Sequence, residues 1–278
     1  AIGGTPLPEF ANASEFQAFQ ESIISFGPPI HDPGPGNTID MDSVPLVVIS
    51  EDDFIIVPDF PGLLANIPGG GGSDTIDFTD AIETYAYLDY AGLTLGPINV
   101  TLDGTAETGS IVKQGVGTDS FVNLGTGLQA GWISSGGLAV AGTNQNDTFT
   151  ASVNEDWIEF VGGGGNDTFN LDLTNMGIVR LTYDRHGGQN AASGITVNLT
   201  TGVVSNDGFG GADQINTTTG AGRLEINATA LTDTITGSGA NERFILLGGN
   251  DTLDAGGGFD LVRYDRSGVT AVNVNLAT

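Results

Sequence analysis

Gly69-Gly70-Gly71-Gly72-Ser73-Asp74-Thr75-Ile76 and Gly162-Gly163-Gly164-Gly165-Asn166-Asp167-Thr168-Phe169 carry one pattern twice. It returns, shortened, as Gly248-Gly249-Asn250-Asp251-Thr252-Leu253, so that Asp74, Asp167 and Asp251 stand 93 and 84 residues apart. A tyrosine segment follows each copy: Leu88-Asp89-Tyr90, Leu181-Thr182-Tyr183-Asp184-Arg185, and Val262-Arg263-Tyr264-Asp265-Arg266. An alternating strand then follows each: Ile98–Leu102, Ile195–Leu199 and Val272–Leu276. A period of this kind sets the architecture, because each unit buries its apolar side against the next one. The expected units are about 69–161, 162–247 and a shortened 248–278.

A shorter period runs inside the long one. Asp233, Glu242, Asp251 and Asp260 are spaced by nine, and two residues beyond each stands Ile235, Phe244, Leu253 or Val262. Asp147 and Asp156 repeat the arrangement with Phe149 and Ile158, before a two-residue slip to Asp167 and Phe169. The unit reads Gly-Gly-x-Gly-x-Asp-x-apolar-x. Glycine allows the backbone angles of a tight corner and turns carbonyls toward a common point. Aspartate places a hard oxygen at that corner, and the apolar residue opens a short inward-facing strand. Stacked coils then offer oxygens from two neighbours to one calcium ion, which accepts six to eight of them.

Composition agrees. The chain has 278 residues, 44 of them glycine and 11 proline, which argues against a helical protein. The glycines do not fall at every third position, which excludes collagen. There are 34 acidic residues against 7 basic ones, a net charge of -27. That excludes a nucleic-acid or anionic-membrane partner and favours cations. Most of the acids are Asp and cluster beside glycines, and only one lysine, Lys113, is present. No cysteine is present, so disulfides, thiol nucleophiles and zinc–thiolate sites are excluded. No apolar run is long enough to span a bilayer as a helix, and Ala1 in place of Met reads as processing.

With these motifs the chain resembles the RTX family, the haemolysin-type calcium-binding repeats of bacterial secreted proteins. Full nonapeptides stand at Gly69–Asp77 and Gly162–Asn170, a near match at Ala255–Val262, and degenerate copies at Gly142–Thr150 and Gly208–Asn216. The resemblance covers roughly residues 69–278. It implies a parallel β-roll, calcium-dependent folding and type I secretion to the exterior or cell surface. It also implies two nonapeptides per turn, hence calcium between acids 18 apart: Asp233 with Asp251, and Glu242 with Asp260. Asp147, Asp156, Asp167 and Asp74 are the further candidate ligands, with carbonyls of Gly165, Gly249 and Gly258. The chain departs from the family in lacking consecutive full repeats. Leu246 and Leu247 replace two glycines, and Asp74 has no evident partner.

Residues 1–68 read differently, as an N-terminal arm or cap. They hold most of the prolines, one expected helix at Ser14–Ile24, and expected strands at Val44–Ile49 and Phe54–Val57. No catalytic constellation is legible. The two histidines, His31 and His186, lie in no His-Glu-x-x-His, and no Gly-x-Ser-x-Gly elbow occurs. Asp184-Arg185-His186 reads as architecture, since Tyr183-Asp184-Arg185 recurs as Tyr264-Asp265-Arg266 without a histidine. Trp132 and Trp157 are candidates for a carbohydrate platform. The expected fold is an all-β solenoid, a β-roll or β-helix with Gly-Asp calcium turns. The expected function is non-enzymatic: an extracellular, calcium-binding structural or surface protein that self-assembles into an oligomer, filament or lattice. The rival reading is the non-catalytic calcium-binding tail of a secreted hydrolase, lyase or epimerase.

Overall fold

The structure, a computed structural model, describes residues 38–40, 52, 54–57, 64–79, 85–124, 137–154, 156–266, 269 and 272. The expected helix at Ser14–Ile24 and strand at Val44–Ile49 lie outside them, as do Trp132 and all of Val272–Leu276 except Val272. Apart from the helical Leu124, every regular element among the described residues is a β-strand.

The chain alternates between two sheets. Sheet A receives β1 (Thr38–Asp40), β2 (Phe54–Ile56) and β4 (Thr75–Asp77), while β3 (Leu64–Pro68) and β5 (Tyr85–Asp89) enter sheet B. β1 to β3 precede Gly69, so both sheets run across the expected boundary at 68/69. A meander of β6 (Ile98–Asp103), β7 (Thr108–Lys113) and β8 (Gly117–Val122) then widens sheet A. Next come β9 (Gly137–Ala141), β11 (Asp156–Val161) and β13 (Gly177–Thr182) in sheet B, alternating with β10 (Thr148–Ser152) and β12 (Thr168–Asp172) in sheet A. A two-stranded hairpin, β14 (Arg185–His186) and β15 (Gln189–Asn190), leads to a second meander. This is β16 (Thr196–Asn198), β17 (Val203–Asn206) and β18 (Asp213–Thr218). The last described coils are β19 (Arg223–Asn227), β21 (Arg243–Ile245) and β23 (Leu261–Arg263) in sheet B, with β20 (Thr234–Thr236) and β22 (Thr252–Asp254) in sheet A.

The result is an all-β solenoid of 13- and 8-stranded sheets in which successive coils pair in parallel, except inside the meanders. In each meander the chain reaches the far side first. β6 pairs with β10, and β8 comes back to β4; likewise β16 pairs with β20, and β18 comes back to β12. The alternating Ile98–Leu102 and Ile195–Leu199 segments are thus the first strands of two meanders. Coil length follows the motif: Thr234 aligns with Thr252 and Arg243 with Leu261, a spacing of 18 in both sheets. Alternate nonapeptides therefore lie on opposite sheets.

Period-two alternation fixes the core. In sheet B the inward row runs Ile67, Leu88, Val140, Phe160, Leu181, Ile226, Phe244 and Val262, in register. In sheet A, Val100, Phe149, Phe169 and Ile215 align. Phe149 stacks on Phe169 at 5.0 Å and meets Phe160 from the opposite sheet at 4.9 Å. Phe160 is wholly buried. Phe160→Ala should therefore cost about 3–5 kcal/mol in denaturant unfolding; a loss below about 1 kcal/mol would mean that the two sheets do not close on this aromatic cluster.

Candidate functional site

Each sheet A strand is entered through a corner, and the Asp of the motif sits there with its side chain turned inward. Its backbone N–H donates to the Asp of the next coil. Asp147 donates to Asp167 Oδ1 (2.8 Å), Asp167 to Asp213 Oδ1 (2.9 Å), Asp233 to Asp251 Oδ1 (3.1 Å), and Asp74 to Asp119 Oδ1 (3.1 Å). At the meanders the strand-opening amides of Ile98 and Ile195 donate to Asp147 and Asp233 Oδ1, each at 2.7 Å. Ser73 donates to Asp52 Oδ1 at the N-terminal end. On the opposite corner Glu242 donates to Asp260 Oδ1 (2.9 Å). Expected pairs 18 apart, Asp233 with Asp251 and Glu242 with Asp260, are therefore neighbours. At four corners the residue two before the acid takes a backbone angle that favours glycine: Gly72, Gly165, Gly249 and Gly258 have φ of 75°, 110°, 102° and 112°.

The second carboxylate oxygen separates the corners. Asp147 and Asp233 follow threonine by four residues. Thr143 N–H and Thr229 N–H donate to their Oδ2 at 2.6 and 3.1 Å, and the threonine hydroxyls donate to Oδ1. Both carboxylates are thereby supplied with donors from the protein. Asp74 and Asp167 follow glycine instead, which has no hydroxyl to donate. At Asp74 the missing donor is Lys113, which is 1 % exposed. Its Nζ donates to Asp74 Oδ2 (3.0 Å) and to the carbonyls of Gly69, Gly70 and Gly71 (3.1, 3.4 and 3.4 Å), and pairs with Asp119 at 2.6 Å. Tyr90 closes this corner by donating to Asp119 Oδ2 (2.6 Å). At Asp167 no cation is present among the described residues. Asp167, Asp207 and Asp213 are 1 %, 0 % and 4 % exposed; Oδ2 of Asp167 and of Asp207 accepts no hydrogen bond, and the Tyr183 hydroxyl lies against Asp213. Asp207 Oδ1 accepts from Phe209 and Gly211 N–H within its own loop.

The C-terminal corners are more open. Asp251 is half-buried and burial raises its pKa. Glu242 accepts from the Ser238 hydroxyl with one oxygen and leaves Oε2 unpartnered; burial raises its pKa as well. Asp156 opens β11, and its side chain lies outside the described residues. Among the described residues, no three acidic or histidine side chains stand at ready-made metal-ligand spacing.

His186 is buried, with Nε2 2.8 Å from the Gly142 carbonyl. A carbonyl only accepts, so this nitrogen carries the proton. The ring also meets Phe209 edge-on. On sheet B the register aligns Glu159, Arg180, Glu225 and Arg243 outside the inward row. Arg180 bonds Glu225 and stacks over Trp157 at 4.7 Å, and Tyr85 and Thr182 each donate to Glu159 at 2.6 Å. Trp157 is thus held by an arginine and by Tyr85 at 5.4 Å. No protein-family model matches the chain, and no curated protein matches it in sequence.

Lys113, Asp119, Asp207, Asp213 and the two capping threonines are absent from the sequence-based set of candidate ligands. Thr-x-x-x-Asp at 143–147 and 229–233 is a readable signal, as is a lone lysine in so acidic a chain.

Burial pushes Asp147 and Asp233 up to about 6. Burial pushes Asp213 up to about 7, and burial with Asp213 nearby pushes Asp167 up to about 9. The folded state then holds protons that the unfolded chain, titrating near 3.8, has released. Such groups contribute stability that is complete below the unfolded value and lost as pH rises through the folded one. In chelator the melting temperature should fall between pH 5 and pH 9, by more than about 5 °C. A flat or rising profile in that window would contradict the buried acid ladder.

Proposed function

We propose that the chain is a calcium-binding structural solenoid of the bacterial exterior, secreted and built to assemble with copies of itself. The observation that carries this reading is the 18-residue stacking, which sets Asp251 against Asp233 and Asp260 against Glu242. Each pair brings oxygens from two coils to one glycine corner, and hard oxygens in that number suit calcium. Asp251 and Asp260 are only half-buried, so an ion reaches them from solvent. The net charge of -27 gives a further reason. Stacked carboxylates repel one another, and a divalent ion bound only by the folded state removes that repulsion.

A structural role fits the absence of a legible catalytic motif in the sequence, and the buried His186 ring is engaged by Gly142. Assembly is supported by the architecture: a solenoid ends in coils whose strand edges accept another chain.

Thermal melts in calcium and in chelator test the reading. Calcium at about 100 times its Kd should stabilise by about 2.7 kcal/mol. Asp251→Ala with Asp260→Ala should abolish most of that increment. Identical melts in calcium and chelator would refute calcium binding. Light scattering of the calcium-loaded chain tests assembly, and a monomer at every concentration would refute it.

A further inference from the structure

The chain holds a single lysine, and its amine is buried against two carboxyl groups. Lys113 ends β7, the middle strand of the first meander, opposite Ile98 on β6 and Gly117 on β8. Asp119 lies on β8, and Asp74 immediately precedes β4. Thr75 aligns with Ser120, so the two acids are neighbours across one strand spacing. Lys113 Nζ stands 3.0 Å from Asp74 Oδ2 and 2.6 Å from Asp119 Oδ1. The carbonyls of Gly69, Gly70 and Gly71, at 3.1, 3.4 and 3.4 Å, also face it. The turn from β7 into β8 and the stacking of β4 on β8 thus bring one nucleophile and two acids to a single point.

An ion pair is the plain reading of such a contact, but the two acids are not alike. Asp119 accepts on both oxygens: from the Asp74 N–H at Oδ1 (3.1 Å) and from the Tyr90 hydroxyl at Oδ2 (2.6 Å). These donors fix it in place as an acceptor. Two carboxylates beside one ammonium would leave a negative charge unbalanced away from water, so one acid of the pair holds a proton. Burial, with Asp119 beside it, pushes the Asp74 carboxyl up to about 7. The amine therefore meets a carboxylic acid on one side and a proton acceptor on the other. Those are the partners that amide formation needs, held in contact with bulk water excluded, where effective molarity is high.

We infer that Lys113 and Asp74 condense into an intramolecular isopeptide bond, with Asp119 as the catalytic base. The Lys113 ammonium passes one proton to Asp119. The freed lone pair on Nζ attacks Cγ of Asp74, and the carbon–nitrogen bond forms. The bond from Cγ to the acid's hydroxyl breaks, and that hydroxyl leaves as water with a second proton from the amine. The products are one amide, one water and a protonated Asp119, so charge is conserved and no co-reactant is consumed. The amide ties β4 to β7 across 39 residues of chain. In a chain without cysteine it does what a disulfide does elsewhere, restricting the unfolded state. The second meander lacks the nucleophile. Asn206 stands opposite Thr196, so the next residue, Asp207, faces Ile195, the counterpart of Ile98. An acid thus takes the place of Lys113 there, and one bond forms per chain.

The bond does not depend on calcium, so its test is separate from that of the calcium reading. The full chain, shown to be folded by circular dichroism, is denatured and its intact mass measured. The natural protein should be lighter than its sequence by one water molecule. Proteolysis and fragmentation should then yield one branched peptide joining Asp74 to Lys113. A mass equal to that of the sequence overturns the inference. So does a water loss that maps elsewhere, including a link from Lys113 to Asp119. Lys113→Arg, which keeps the positive charge, should show its full sequence mass, and a water loss persisting in it overturns the inference. Asp119→Asn keeps acceptor and donor groups at the corner but takes no proton, and should slow condensation by at least about 100-fold. Condensation in folded D119N at the natural rate overturns the role of Asp119. Should D119N fail to fold, the peptide map of the natural protein still decides whether the bond exists.

Discussion

The interaction on which the solenoid depends is the hydrogen bond from a corner N–H to the carboxylate of the next coil. A parallel coil must leave its sheet, turn and re-enter one strand spacing away. At the turn the regular ladder of backbone bonds lapses, yet the amide that opens the next strand is buried and needs an acceptor. The inward aspartate supplies one and ties each coil to its neighbour. Where that acceptor is ionised, such a bond contributes about 1.5–3 kcal/mol, more than a neutral one. The same carboxylates bring the main liability of the fold, because each is moved out of water.

The chain meets that liability in different ways. Thr143 and Thr229 surround Asp147 and Asp233 with local donors. Lys113 brings a full positive charge to Asp74 and Asp119. On sheet B, Arg180 and Arg243 alternate with Glu159 and Glu225 along one row, so parallel in-register pairing sets opposite charges side by side. The corner of Asp167, Asp207 and Asp213 has neither a threonine cap nor a basic partner. Local chemistry thus grades the corners from fully paired to acid against acid, within a single repeated architecture.

The meanders give the solenoid this variety. A plain coil contributes one acid per corner. A meander returns the chain to the same corner at the end of β7 or just past β17 and adds a side chain there. That additional position is Lys113 in one copy and Asp207 in the other. Because the meander strands pair with both neighbouring coils, the insertion lengthens sheet A without breaking its hydrogen bonding.

Much of this was legible in the residues. The nine-residue spacing of Asp233, Glu242, Asp251 and Asp260, each with an apolar residue two positions on, gives the repeat and its inward residues. The reason is local: glycine forces the corner, and period-two alternation forces one side of each strand inward. Coils of 18, implied in the sequence only by the family resemblance, are seen in the strand register. The inward orientation of the aspartates and the burial of His186 were not legible, because both depend on which backbone group lies one coil away. Asp74 lacks a partner when read by spacing, since its partners are Lys113 and Asp119, 39 and 45 residues on and brought back by an antiparallel excursion. The sequence by itself determined the repeat, the strand faces and the acid of each glycine motif. Only the tertiary structure decided which acids are capped, which are paired with a lysine and which are left facing one another, because that depends on register across the meanders, and no short-range pattern encodes it.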